Sequence, residues 1–188
     1  MESAANAGQP TSLHSEIPLT PKGQQQAEDA VSMIENIVAP DFFMVSSYKR
    51  CTDTAAPSLE KWNSVPHVVT SDIVEFHYLD FAGQLTTIDD RKAKRDAYWE
   101  KCDPDYQDGP ECETFRAFMQ RVCHTVQLLQ ESSHRNIVVF THGFFMKALF
   151  FITMPECSQE ITSDSMRAIY NFSQRVSIGN ATCVELEM

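Results

Sequence analysis

Apolar residues recur along this chain in two rhythms. Ala27, Ala30, Val31, Ile34 and Val38 fall at helical spacing after Thr20-Pro21, which has the form of an N-cap with proline at the first helical position. Pro40 follows and marks the stop. Phe42 to Ser46 reads as a short strand, and Arg50 to Trp62 as a second helix with Pro57 its weak point. Val68 and Val69 make a further brief strand. Asp80 to Thr87 looks irregular, Asp89 to Lys101 helical, and Asp103 to Pro110 a loop by its turn residues. The clearest helix runs from Glu111 to Gln130, where Phe115, Phe118, Met119, Val122, Val126 and Leu129 share one face. Ile137-Val138-Val139-Phe140 is continuous apolar sequence and predicts a strand buried on both faces. Helices are expected at Phe144–Ile152 and Ser163–Phe172, and a last strand at Ala181–Leu186. Met1 to Ser15 is small and polar and reads as loop.

Strands alternating with helices imply a three-layer α/β/α domain with a mostly parallel central sheet. At 188 residues the chain is long enough for one domain with a real core, and 43% hydrophobic with 22% charged residues is an ordinary globular balance. No apolar run approaches the roughly 20 residues of a membrane span, and no secretory signal is present, so a cytoplasmic protein with no membrane partner is expected. A net charge of −11 argues against nucleic acid as a partner, and any phosphate site would be a local basic pocket. The six cysteines form no Cys-x-x-Cys pair and no zinc spacing, so reduced thiols are expected. Neither a metal nor a cofactor is implied.

Chemistry concentrates where strands end. The 137–140 strand stops at Thr141-His142-Gly143, which places an imidazole at the carboxyl edge of the sheet, where open α/β sheets bind ligands. The helix that follows offers free N–H groups to an anion. Arg50 follows the Phe42–Ser46 strand and would share that edge, with a planar fork of donors suited to phosphate. Glu75 lies among Ile73, Val74, Phe76 and Tyr78, surroundings that raise a carboxyl pKa and can hold a proton ready for a leaving group. Each has a plain alternative: His142 capping a strand, Arg50 on an ordinary surface, Glu75 capping a helix or held in an ion pair.

Taken together these segments resemble the histidine phosphatases, the phosphoglycerate mutase-like superfamily, in register over nearly the whole chain. The likeness lies in Pro18-Leu19-Thr20-x-x-Gly23, in Ser46-x-x-x-Arg50 with Thr54-Ala55, in Glu75 with Ile73 where the family has Leu, and in the apolar strand before His142-Gly143. Glu75-Phe76-His77-Tyr78-Leu79, Ala97-Tyr98-Trp99 and Cys102-Asp103-Pro104-Asp105-Tyr106 are similar to a subgroup of small bacterial members. The resemblance implies hydrolysis of a small phosphomonoester through a phosphohistidine, with Glu75 protonating the leaving oxygen. Arg50, His142 and Asn6 would hold the phosphate oxygens.

One departure stands out. The family opens with an interior strand ending Arg-His-Gly before Glu-Ser-x-x-Asn. Glu2-Ser3-x-x-Asn6 is present here, but Met1 stands where that glycine belongs, so the nucleophilic His, its Arg and the first strand are absent from the sequence. Neither His14 nor His67 follows a strand in that context, and neither is expected to replace it. Two explanations are open: a phosphatase truncated at its amino end and inactive as given, or a non-catalytic pseudophosphatase that binds a phosphorylated ligand. A mutase-type phosphotransferase is disfavoured, because the chain has no spare length for a lid against water. Phe76, Tyr78 and Phe81 are available either to an apolar leaving group or to the core.

Overall fold

The computed structural model describes residues 1–11, 14–154 and 160–187. Strands β1 (Phe42–Ser46), β2 (His67–Thr70) and β3 (Ile137–Phe140) form one parallel sheet in the order β2-β1-β3. Phe43 of β1 lies opposite His67 on one side and Val138 on the other. Parallel neighbours need long crossovers, and these carry the helices onto the sheet faces.

Alternation along β1 sorts the two faces. Val45 packs with Phe140 and with Cys51, Ala55 and Leu59 of helix α2 (Lys49–Lys61). Helix α1 (Pro21–Ile37) lies against α2. Met44 and Val139 point the other way, into the main core, which draws on α3 (Lys92–Lys101), α4 (Phe115–Gln130), α5 (Gly143–Thr153) and α6 (Ser163–Arg175). The result is a three-layer α/β fold. Phe115, Phe118 and Val122 are fully buried on the predicted face of α4, each contributing about 1.5–3 kcal/mol relative to exposure. The Tyr98-Trp99 pair and Phe76 belong to the same aromatic core, with Trp99 stacked on Tyr170 at 4.5 Å.

Several expectations need correction. Ala181–Leu186 forms no strand, and Val184 and Leu186 are exposed. An alternating pattern becomes a strand only when a neighbour supplies the ladder, and none of the described residues pairs with it. The residues of β3 are each half-buried rather than buried on both faces, because β3 is an edge of the described sheet, not an interior member. Helix α4 begins at Phe115, four residues later than predicted, because the Thr114 hydroxyl accepts from Ala117 N and fixes the start. Likewise α3 begins at Lys92 rather than Asp89. Pro57 sits inside α2 without ending it. His14–Glu16 forms a single 3-10 turn where the expected Met1–Ser15 loop ends. Cys51, Cys102, Cys112, Cys123 and Cys183 are free thiols, while Ser12 and Cys157 lie outside the described residues. Among the described residues no helix is long and apolar enough to cross a membrane.

Candidate active site

Because β1 and β3 run parallel side by side, the segments that leave their carboxyl ends emerge together. Arg50 in the first turn of α2 and His142 just before α5 are thereby brought into contact, with Arg50 Nη2 2.8 Å from His142 Nδ1. The other ring nitrogen, Nε2, lies 2.7 Å from Ser46 Oγ at the end of β1. A guanidinium can only donate, so Nδ1 is the acceptor and the ring proton sits on Nε2, directed at the serine hydroxyl. His142 is buried, and its pKa is pulled down to about 2, first by burial and then by the Arg50 charge. Cys51 Sγ lies 3.5 Å from Nε2, and burial pushes its thiol up to about 11. Tyr48 meets the imidazole edge-on at 5.1 Å and carries Arg50 over its own ring face at 5.0 Å.

Glu75 reaches the same place from the segment after β2. Its Oε2 accepts from Phe144 N at 3.2 Å and its Oε1 from Phe145 N at 3.2 Å and from Phe76 N at 3.1 Å. The carboxyl therefore caps the amino end of α5, one residue past His142-Gly143. Burial raises its pKa, prevailing over the lowering effects of Arg50 and the three amide donors. The helix-capping alternative and a proton-holding carboxyl thus coexist in one side chain.

Asn6 stands apart from this cluster. Its Oδ1 accepts from Ser3 Oγ at 2.6 Å and Ser3 N at 3.3 Å. Among the described residues it makes no hydrogen bond to Arg50, Glu75 or His142. The Glu2-Ser3 segment is tied instead to the Pro18–Gly23 segment: Thr20 N donates to Glu2 O, Ala4 N donates to Pro18 O, and Thr20 Oγ1 donates to Glu2 Oε1 at 2.9 Å. A Cβ on Gly23 would stand 2.0 Å from Glu2 O, so only glycine admits this approach.

His14 holds a position that its polar surroundings did not foretell. Its carbonyl accepts from Arg50 Nη1 at 2.6 Å, and its ring lies 4.8 Å from that of His77. Burial holds its pKa down at about 3. Tyr48 and Cys51 were not singled out, although they flank Arg50 in the sequence, and Ser46 was named only as part of the motif, with no role at His142. Their relation to His142 is a contact between β1 and β3, and spacing within one segment does not reveal it. Among the described residues no three His, Cys, Asp or Glu side chains gather as a metal site.

A search of curated proteins finds no match. Solved structures with the same fold include a putative alpha-ribazole-5'-P phosphatase from Escherichia coli, at 24% identity and TM-score 0.65, covering 88% of this chain and 79% of that one. The alpha-ribazole phosphatase of Shigella flexneri aligns with TM-score 0.66, 24% identity and the same coverage, 88% and 79%. A mycobacterial glucosyl-3-phosphoglycerate phosphatase with VO3 aligns at 20% identity and TM-score 0.69, covering 96% of this chain and 85% of that one. The family model for the histidine phosphatase superfamily (branch 1) matches residues 2–162, and the chain therefore belongs to that superfamily.

Proposed function

We propose that this chain carries the phosphate cradle and the proton donor of a phosphatase that hydrolyses a small phosphomonoester through a phosphohistidine. The observation that supports it most is the convergence of Arg50, His142 and Glu75 at the carboxyl edge of the sheet. Arg50 supplies a permanent charge with donors to spare, whereas the Phe144 and Phe145 N–H groups at the amino end of α5, expected to be free for an anion, are taken by Glu75. In the first step the nucleophilic imidazole forms an N–P bond as the P–O bond to the leaving group breaks, and Glu75 gives its proton to the departing oxygen. In the second, water attacks phosphorus, its proton returns to Glu75, and the imidazole leaves. Asn6 would complete the cradle by turning its amide toward the phosphate.

The nucleophile of that scheme belongs to the Arg-His-Gly strand, which the 188-residue sequence does not contain. Burial lowers the pKa of the Met1 α-amino group, with smaller effects from Cys51 and Arg50, which is consistent with a preceding strand leading towards the cradle. We accordingly propose that the chain as given binds phosphate but turns over little or none. A pseudophosphatase that binds a phosphorylated ligand without turning it over is the second reading, and it would use the same Arg50 and His142. Hydrolysis of 4-nitrophenyl phosphate tests the assignment. A chain in which an apolar strand ending Arg-His-Gly replaces Met1, its glycine directly before Glu2, is expected to turn over, with losses of a hundredfold or more (~2.7 kcal/mol) in Arg50→Ala and in His142→Ala. Undiminished turnover in either variant refutes the assignment, and phosphate binding without turnover in the extended chain leaves the pseudophosphatase.

A further inference from the structure

Beside the cradle lies a cavity of about 160 Å³ whose walls include His14, Phe76, Tyr78, Phe81, Arg91 and Arg95. It adjoins the phosphate site through two of them. Phe76 follows Glu75 in the chain, and the His14 carbonyl is bonded to Arg50. The size is close to that of a ~150 Å³ apolar cavity that accepts benzene, but two guanidinium groups reach this one.

The placement of those arginines is uneconomical for mere structure in a molecule of net charge −11. Nearby cations have acidic partners: Lys94 with Asp108 at 2.7 Å, Arg116 with Asp105 at 2.6 Å and Arg121 with Glu113 at 2.7 Å. Among the described residues Arg91 forms no direct ion pair, and the one carboxylate whose charge acts on it is that of its chain neighbour Asp90. Its Nε donates to Thr86 Oγ1 and its Nη2 to the Thr11 and Thr86 oxygens, all neutral. Its Nη1 makes no hydrogen bond among the described residues. The Arg91 guanidinium stands 5.6 Å from the Phe81 ring centroid. Partial burial lowers the Arg91 pKa, so an arriving anion would relieve a desolvated charge. The only ion-pair contact of Arg95 among the described residues is with its chain neighbour Asp96, at 3.6 Å.

Resting on the phosphatase reading, we propose that this cavity is a second-anion subsite, which takes a leaving group bearing an aromatic or flat apolar body and a further carboxylate or phosphoryl group. The aromatic walls hold the body, and Arg91 and Arg95 hold the charge, Arg91 by the free edge of its fork. The preferred substrates are thus phosphomonoesters with two anionic ends rather than one.

Calorimetric titration of the 188-residue chain with phenylphosphonate, 4-carboxyphenylphosphonate and 1,4-phenylenebisphosphonate tests this without any need for turnover. At least one of the doubly anionic probes is expected to bind about tenfold or more tightly than phenylphosphonate, and the larger ratio tells carboxylate from phosphoryl. Arg91→Gln and Arg95→Gln should each bring that ratio towards one. Arg91 also ties Thr11 to Thr86, so Arg95→Gln, where among the described residues only the contact with the chain neighbour Asp96 is lost, decides the matter if Arg91→Gln unfolds. Equal affinity for all three probes, or a ratio untouched by Arg95→Gln, overturns the subsite. Insensitivity of phenylphosphonate binding to Arg50→Gln overturns the cradle instead, and the two failures are separate.

Discussion

Arg50 Nη2 stands 2.8 Å from His142 Nδ1, and this contact fixes the state of the imidazole. A guanidinium beside one ring nitrogen forbids a proton there, so His142 is neutral and carries its hydrogen on Nε2, facing Ser46. Nitrogen-15 NMR of the ring should show that tautomer without protonation between pH 7 and pH 4. Titration near the ordinary histidine value of about 6.5 would show that the contact does not hold in solution.

Stability should fall on acidification. Burial pulls the pKa of His142 down to about 2 and that of His14 to about 3, from the ordinary histidine value of 6.5. Below about pH 6 the unfolded chain takes up protons that the folded chain refuses. Their stabilising contribution is therefore complete above the unfolded value and lost as pH falls, by up to ~1.4 kcal/mol per pH unit for each group. Glu75, with its raised pKa, works in the opposite sense. Denaturant melts at pH 7, 6 and 5 should slope accordingly, and His14→Asn should flatten the slope. A stability independent of pH over that range would contradict the burial of these rings.

Gly23→Ala should destabilise the chain by about 1–3 kcal/mol, because the new methyl would meet Glu2 O at 2.0 Å and backbone must move. Gly179→Ala serves as the comparison. The nearest atom to its added methyl is Thr182 Oγ1 at 3.4 Å, and a change within about 0.5 kcal/mol is expected. Equal effects at the two positions would mean that the Glu2–Gly23 approach is not maintained.

Glu75→Gln separates capping from proton transfer. Both carboxyl oxygens accept backbone N–H groups, Oε2 from Phe144 and Oε1 from Phe145 and Phe76. An amide can satisfy only one side and turns a donor towards a donor on the other. A loss of about 1–3 kcal/mol in stability is expected, read by thermal or denaturant melting. In a chain that turns over, activity should fall further than this loss explains, and most steeply for substrates with poor leaving groups. A variant as stable and as active as the parent would deny Glu75 both roles.

What the sequence determined by itself is mostly helical. Thr20-Pro21 marks the start of α1, and the stripe from Phe115 to Val122 faces the core as its spacing requires. Helical hydrogen bonds close within a few residues, so pattern and caps are written locally. The three strands were legible as apolar runs, and the order of motifs along the chain carried the family resemblance. Only the tertiary structure decided that Ala181–Leu186 stays unpaired, that β3 is half-buried, and that the His14 carbonyl rests on Arg50. It alone set Ser46 and Cys51 against His142, 96 and 91 residues away in the chain. A strand and a composite site are both completed by partners remote in the chain, and no local pattern states whether such a partner will be there.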